Sequence, residues 1–114
     1  MATDFVVTST RNQQIFKDVG FKDGAIKYSF DFGPWADDNG SVTSVTWTVK
    51  AGSATVSGEA LTSNVATALV TFGDTGGTLI QIKAVTTSNG TYIAYLDVLA
   101  KDPQSGTNDY GLSI

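Results

Sequence analysis

Two residue types with broad chemical uses are missing from this sequence of 114 residues, which contains neither cysteine nor histidine. Without cysteine the chain cannot form a disulfide or bind a metal through thiolates. Without histidine it lacks the side chain that most often serves as a general base near neutral pH. A Ser-His-Asp triad or a Cys-His pair cannot be built from these residues. We therefore predict that the protein is not an enzyme.

Positive charge is also scarce. Lys and Arg number 7 against 11 Asp and Glu, which gives a formal net charge of −4. Because nucleic-acid binding relies on basic residues, often interleaved with aromatics, we expect no nucleic-acid partner. The first residues lack the pattern of a secretory signal, and no run approaches the roughly 20 apolar residues that cross a bilayer. We expect no membrane partner, and we expect folding in the compartment where the chain is made.

Short strand-like segments fill the middle of the chain. Residues 28–32 alternate aromatic and polar side chains, and residues 42–50 alternate Val or Trp with Ser or Thr. This alternation is typical of half-buried strands. Trp47, at the centre of the second segment, is predicted to anchor the core. Residues 54–57 predict a weaker strand. Residues 65–72 also predict a strand, but both of its faces carry apolar side chains, so that the pattern does not determine which face points inward.

A hairpin is predicted between residues 79–86 and 92–99. Asn89-Gly90 lies between these strands and favours a tight two-residue turn, because both central positions of a type I′ turn need a positive φ. Residues 33–40 and 73–77 are predicted to be turns or loops. The six or seven strands predict one all-β domain with a β-sandwich fold, although a barrel fits the same periodicity.

The two ends of the chain differ from the middle. We expect residues 1–20 to form an arm or an edge strand, residues 21–103 the sandwich, and residues 104–114 a tail. The ends are either ordinary chain termini or extended arms that bury apolar side chains on neighbouring subunits. Trp35, in the turn, either plugs one end of the sandwich or forms an exposed contact. The candidate partner contacts are Phe5, Val7, Ile15, Phe16, Trp35, Tyr110, Leu112 and Ile114.

Few residues suggest a chemical site. Asp37 and Asp38 are adjacent carboxylates in a turn, where side chains diverge, whereas a catalytic pair must converge on one bond. With Asn39 they offer oxygen ligands for Ca²⁺, but their spacing does not match the EF-hand loop, and cation binding there stays an open alternative. The glycine-rich residues 73–77 lack the Lys-Ser/Thr and the helix that a phosphate-binding loop requires. We predict no catalytic residue, no metal site and no cofactor.

One block of the chain resembles a known family. Residues 28–52 (YSFDFGPWADDNGSVTSVTWTVKAG) combine an aromatic strand, a turn with Trp, a polar loop and a Ser-x-x-Trp-x-Val strand. Residues 65–103 continue with a Gly-rich loop and a strand–Asn-Gly–strand hairpin. Over about residues 27–103 the chain resembles the Ig-like fibre–tail adaptor proteins of tailed bacteriophages.

This resemblance implies an immunoglobulin-like sandwich of about seven strands with extended terminal arms. It also implies a structural protein of the virion, present in several copies in the tail or neck, that links tail fibres or other components to the tail. Its partners would be other virion proteins and copies of itself, with assembly in the cytoplasm of the bacterial host. The family brings no catalytic residues. The alternatives are a capsid decoration protein and an Ig-like adhesion or carbohydrate-binding module.

Overall fold

The computed structural model describes residues 2–7, 13–88 and 90–102. This part of the chain forms eight strands and one short helix. In chain order they are β1 (Ala2–Val6), β2 (Gln13–Phe21), β3 (Ala25–Asp31), α1 (Gly33–Asn39), β4 (Val42–Ala51), β5 (Ala54–Thr62), β6 (Val65–Phe72), β7 (Gly76–Thr86) and β8 (Thr91–Lys101).

The strands form two four-stranded sheets, with the order β1-β3-β6-β5 in the first and β2-β8-β7-β4 in the second. β6 is antiparallel to its neighbours β3 and β5, and β7 is antiparallel to its neighbours β4 and β8. Two packed sheets of antiparallel strands, with connections that cross from one sheet to the other, are the arrangement of an immunoglobulin-like sandwich. The predicted all-β, Ig-like fold is confirmed. Strands β1 and β2 complete the sheets by pairing in parallel with β3 and β8.

The core lies between the two sheets and is built from alternate residues of each strand, because successive side chains of a strand point to opposite faces. Phe5, Phe16, Phe30 and Trp47 form an aromatic cluster in which the buried rings of Phe16 and Phe30 contact the half-buried rings of the other two. Their ring centroids are 4.9 Å apart for Phe5–Phe16, 5.3 Å for Phe16–Phe30 and 5.6 Å for Phe30–Trp47. Such tilted and edge-on pairs stabilise a fold beyond the burial of their area.

Most inward faces match the sequence pattern. Tyr28, Phe30 and Phe32 are fully buried, as are Ile80, Ile82 and Ala84 in β7. Trp47 does face inward, but it is half-buried and packs against the rim of the core. The open question in residues 65–72 is resolved by the burial of the even-numbered positions, with Leu69 facing outward.

Two strands, β4 and β5, differ from the predicted pattern. β5 does not end at residue 57 but continues to Thr62 through an irregularity between Ser57 and Ala60. In β4 a register shift between Val42 and Ser44 interrupts the alternation, and Thr43 lies on the exposed side. Neither irregularity has a signature in the alternation of apolar residues.

The predicted irregular turn at residues 33–40 is wrong for most of its length, because residues 33–39 form α1. Pro34 suits the first turn of a helix, where backbone N–H groups have no partner, and Gly40 closes the helix with φ of 94°. The helix carries Trp35 into the sandwich, where its ring centroid is 5.1 Å from that of Tyr92. Trp35 thus closes one end of the core.

The hairpin of β7 and β8 is confirmed, whereas its turn is longer than the predicted two residues. The last register pair joins Val85 to Thr91, so that the connection runs from residue 86 to residue 90. The backbone N–H of Thr86 donates to the carbonyl of Gly90 at 2.9 Å, and the N–H of Gly90 donates to the Thr86 hydroxyl at 3.0 Å. Asn89 lies outside the described residues.

The structure places the first part of the chain in both sheets. β1 is an edge strand of the first sheet, and β2 is an edge strand of the second. β2 runs through the boundary expected at residue 20 and ends at Phe21. Residues 104–114, the expected tail, lie outside the described residues.

Candidate interaction surface

The orientation of β2 is set by the two apolar residues on its inner side. Phe16 is buried against Phe5 and Phe30. Gly20 lies so close to Phe72 that a Cβ atom at this position would be 2.6 Å from Cε2 of that ring. A strand that holds Phe16 and Gly20 inward must turn the intervening odd-numbered residues outward, since side chains alternate.

Two hydrogen bonds hold the polar residues on the same inner side. The Tyr28 hydroxyl of β3 donates to Oδ2 of Asp18 at 2.7 Å, and this bond joins the two sheets. The Tyr92 hydroxyl of β8 donates to Oε1 of Gln14 at 3.2 Å. Burial raises the pKa of Tyr28 well above its usual value, and the hydrogen bond to Asp18 and the negative charge of that carboxylate raise it further.

The outward residues of β2 create an exposed apolar surface. Ile15, Val19 and Phe21 are 57%, 48% and 43% exposed, and Leu99 of β8 is 48% exposed. The register pairs Ile15 with Tyr95 and Val19 with Leu99. With the partly buried Ile93, these side chains form a surface that we call the β2–β8 face, defined as Ile15, Val19, Phe21, Ile93, Tyr95 and Leu99.

One charged pair interrupts this apolar surface. Lys17 of β2 lies opposite Asp97 of β8, and opposite charges in directly paired positions are mutually favourable. Both line a shallow depression of about 400 Å³, together with Asp18, Val19 and Leu99. Large exposed apolar side chains grouped beside polar ones are typical of protein–protein contact sites. The depression is open and adjoins charged groups, which suits a polypeptide better than a small apolar ligand.

The free edge of β2 adjoins the same face. Each residue from Gln13 to Phe21 pairs with β8 in continuous register, and within the described part of the chain no strand pairs with the other side of β2. The backbone groups on such an edge can pair with an added strand. The β2–β8 face and the free edge of the sheet therefore meet along β2.

A smaller groove lies on the opposite side of the sandwich, between the edge strands β4 and β5. Its volume is about 250 Å³, and Trp47 forms part of its floor. Its other lining residues are Thr43, Ser44, Val45, Glu59, Ala60 and Leu61. The groove is lined in part by Val45, Trp47 and Leu61, which pack against the core and are partly exposed. Trp47 is its one aromatic residue.

The structure places the predicted contact residues in different environments. Val7, Phe16 and Trp35 are buried in the chain's own core, and Phe5 is half-buried beside Phe16. Ile15 lies on the β2–β8 face. The remaining three candidates, Tyr110, Leu112 and Ile114, are outside the described residues.

Val19, Phe21 and Leu99 are the surface residues that sequence reasoning missed. Their signal in the sequence is Gly20, whose lack of a side chain marks a close approach of the backbone and so identifies the inner side of β2.

The carboxylates of Asp37 and Asp38 are exposed at the end of α1. Over residues 2–7, 13–88 and 90–102, no group of three or more acidic, histidine or cysteine side chains is arranged to hold a metal ion. In the same residues no helix has the length and hydropathy required to cross a membrane.

The two packed sheets define a small domain of the immunoglobulin-like class. The chain belongs to the family described as podophage GP4 fiber-tail adaptor protein gp77, whose family model matches residues 22–95, well over half of the sequence. The resemblance to phage fibre–tail adaptors is thereby confirmed, and the matched region runs from the turn after β2 into β8.

Solved structures share the fold at low sequence identity. PbICP-C, solved in complex with falcipain-2, is 7% identical with a TM-score of 0.55, and the match covers 85% of this chain and 98% of that one. The 2,6-sialyltransferase of Vibrionaceae Photobacterium sp. JT-ISH-224 is 15% identical with a TM-score of 0.54. That match covers 84% of this chain and 19% of the sialyltransferase. Among curated proteins none matches the chain.

Proposed function

We propose that this protein is a non-enzymatic adaptor in the tail or neck region of a phage particle, where it links tail fibres or other components to the tail. Its membership of the fiber-tail adaptor family is the observation that carries this proposal. The β2–β8 face supports it, because an adaptor needs surface that partner proteins can cover. Its partners are other virion proteins, including further copies of this chain.

The chemistry of the chain is consistent with a purely structural role. Neither histidine nor cysteine is present. The carboxylate pair Asp37 and Asp38 is exposed at the end of α1. A packed aromatic core fixes the relative positions of both sheets, so that contacts on opposite sides of the domain keep a constant geometry.

Several copies around a tail would use contacts of the head-to-tail kind. Such contacts join two different surfaces of neighbouring subunits and close into a ring when the rotation between subunits allows it. The domain measures 51 × 23 × 23 Å, and this elongated shape separates its two ends. One end can then contact the tail while the other contacts a fibre, with assembly in the host cytoplasm.

The test is a phage in which the gene for this protein is inactivated. Particles from the mutant and the parent are purified, compared by negative-stain electron microscopy and analysed by mass spectrometry. We expect the protein in parental tails and a loss of fibres from mutant particles, with recovery when purified protein is added. Intact fibres on mutant particles, or the protein spread over parental capsids, would contradict the proposal, and the second result would identify a decoration protein.

A matched pair of variants sharpens the add-back experiment. Val19→Asp places a charge on the β2–β8 face, whereas Thr46→Asp places one on an exposed outer position of β4 in the same sheet. We expect Val19→Asp to restore fibres at least tenfold less efficiently than Thr46→Asp. Equal recovery would exclude the β2–β8 face as a contact surface of the adaptor.

A further inference from the structure

The free edge of β2 accepts a particular kind of strand. On the outer side an added strand would lie beside Ile15 and Val19, so that large apolar side chains there would extend the β2–β8 face. On the inner side it would lie beside Gln14 and Asp18, whose side chains are engaged with Tyr92 and Tyr28. A matching strand therefore carries large apolar residues at alternate positions and small residues between them.

The sequence contains one segment with this pattern outside the described residues. Residues 110–114 read Tyr-Gly-Leu-Ser-Ile. In an extended conformation, Tyr110, Leu112 and Ile114 share one face, while the other face carries a glycine and a serine. The preceding residues 102–109 (DPQSGTND) are turn formers and polar residues, which suit a connection.

The position of β8 determines where this segment starts. β8 ends at Lys101, directly opposite Phe21 of β2, and Pro103 lacks the N–H with which a sheet ladder would continue. Residues 103–114 span up to about 40 Å when fully extended. That reach exceeds the 23 Å width of the domain. The segment can therefore extend beyond its own domain onto an adjacent one.

We propose that residues 110–114 of one copy add as a strand to the free edge of β2 in a second copy. Tyr110, Leu112 and Ile114 then lie on the outer side and cover Ile15 and Val19. This inference rests on the proposed function in one respect, namely that several copies of the chain assemble together. It specifies the contact between them: each copy donates a tail strand and accepts one at β2, which produces the head-to-tail geometry of rings.

A complementation experiment with full-length chains tests the proposal. Val19→Asp blocks the acceptor edge, Leu112→Asp blocks the donor strand, and Thr46→Asp is the matched control on the outer side of β4. Mass is measured by light scattering after size-exclusion chromatography over a range of concentrations, with circular dichroism to verify folding. We expect the parental protein and Thr46→Asp to self-associate and each blocked variant to be monomeric.

The decisive sample is the equimolar mixture of the two blocked variants. The Val19→Asp chain retains a tail and the Leu112→Asp chain retains an edge, so that the mixture should form heterodimers that do not grow further. A monomeric mixture overturns the proposal, as does self-association of Leu112→Asp alone. A parental protein that stays monomeric, with β2 amides protected from exchange by its own tail, also overturns it.

A labelled peptide with the sequence of residues 103–114 gives a second readout. Fluorescence anisotropy should show saturable binding to the full-length Leu112→Asp chain, whose own tail is blocked. We expect a peptide with aspartate at positions 112 and 114 to bind at least tenfold more weakly, and equal binding contradicts the proposal. If particles containing Leu112→Asp still carry fibres and full copy numbers, the adaptor function stands and the tail-strand contact is wrong.

Discussion

The two edge strands of the second sheet, β2 and β4, face solvent in different ways. The outer side of β4 carries Ser44, Thr46 and Thr48, and its neighbours across the ladder include Gln81 and Lys83. The outer side of β2 carries Ile15, Val19 and Phe21. Half of one sheet surface is therefore polar and the other half apolar.

The backbones of these edges differ in the same sense. β4 is interrupted by register shifts near both of its ends, whereas β2 pairs continuously with β8. Irregularities and polar side chains are common ways in which natural sheets prevent edge-to-edge association. β4 has these protections and β2 has few, with Lys17 alone among its exposed positions carrying a charge. Since both strands pack aromatic residues on the core, folding does not explain the difference between their outer sides. The contact with a partner that we propose for β2 accounts for it.

The largest expected effect on stability comes from the inward-facing aromatic residues of β2 and β4. Phe16→Ala removes a buried ring that contacts two other rings, and we expect it to lower the free energy of unfolding by about 3–5 kcal/mol. Trp47→Ala removes a half-buried ring and should cost less, about 2–3 kcal/mol. Urea unfolding followed by circular dichroism measures both. A larger loss for Trp47→Ala would show that β4 anchors the sheet more strongly than β2.

The next effect tests whether Gly20 sets the orientation of β2. Gly20→Ala places a Cβ against the Phe72 ring, and the displacement should cost about 1–3 kcal/mol. Gly77→Ala is the matched control in β7, because a Cβ there has no neighbour within 4 Å. We expect it to change stability by less than about 0.5 kcal/mol. Equal effects at both positions would mean that the backbone of β2 can shift away from Phe72.

A smaller effect is expected at the bond that joins β2 to the first sheet. Tyr28→Phe removes the hydroxyl that donates to Asp18 and should cost about 1–2 kcal/mol near neutral pH. Tyr95→Phe, on the outer face, is the control and should cost less than about 0.5 kcal/mol.

The same bond predicts a dependence on pH. The pKa of Tyr28 is raised in the folded protein, so that its contribution is fully present below the pKa of an unfolded tyrosine, about 10, and is lost as the pH rises above that value. Unfolding free energies at pH 8 and pH 11 should therefore differ more for the parental protein than for Tyr28→Phe. An identical decrease of the unfolding free energy in both proteins would show that Tyr28 does not cause the loss of stability.

The smallest effect on stability is expected on the outer face. Val19→Thr and Leu99→Thr replace exposed apolar side chains, and each should change the free energy of unfolding by less than about 0.5 kcal/mol. If either substitution lowers the free energy of unfolding of the monomer by more than about 1 kcal/mol, the β2–β8 face contributes to folding. Folding then explains why the outer side of β2 is apolar and that of β4 is polar.

The central strands were predictable from sequence because a period of two residues is a local property. The aromatic residues of β3 and the isoleucines of β7 lie on the predicted faces. The helix at residues 33–39 was missed because Pro34 and Gly40 occur both in turns and at helix ends. The face of β6 could not be read from residues 69 and 70, because the partner sheet decides which of them is covered.

The candidate surface was less predictable, since the alternation in β2 is misleading. Ile15, Val19 and Phe21 share one side of this strand, and local pattern alone would place that side inward. Contacts with Phe30 and Phe72, both distant in sequence, place Phe16 and Gly20 inward instead. Long-range packing therefore determined which residues of β2 form the surface.

The parallel pairing of β2 with β8 also determines how the domain carries a mechanical load. A pull at Gln13 and an opposite pull at Lys101 act along two parallel strands, at opposite ends of one ladder. The force then shears all of the register pairs together instead of separating them one after another. A load applied at these two positions would therefore be resisted by all nine pairs from Gln13 to Phe21 at once.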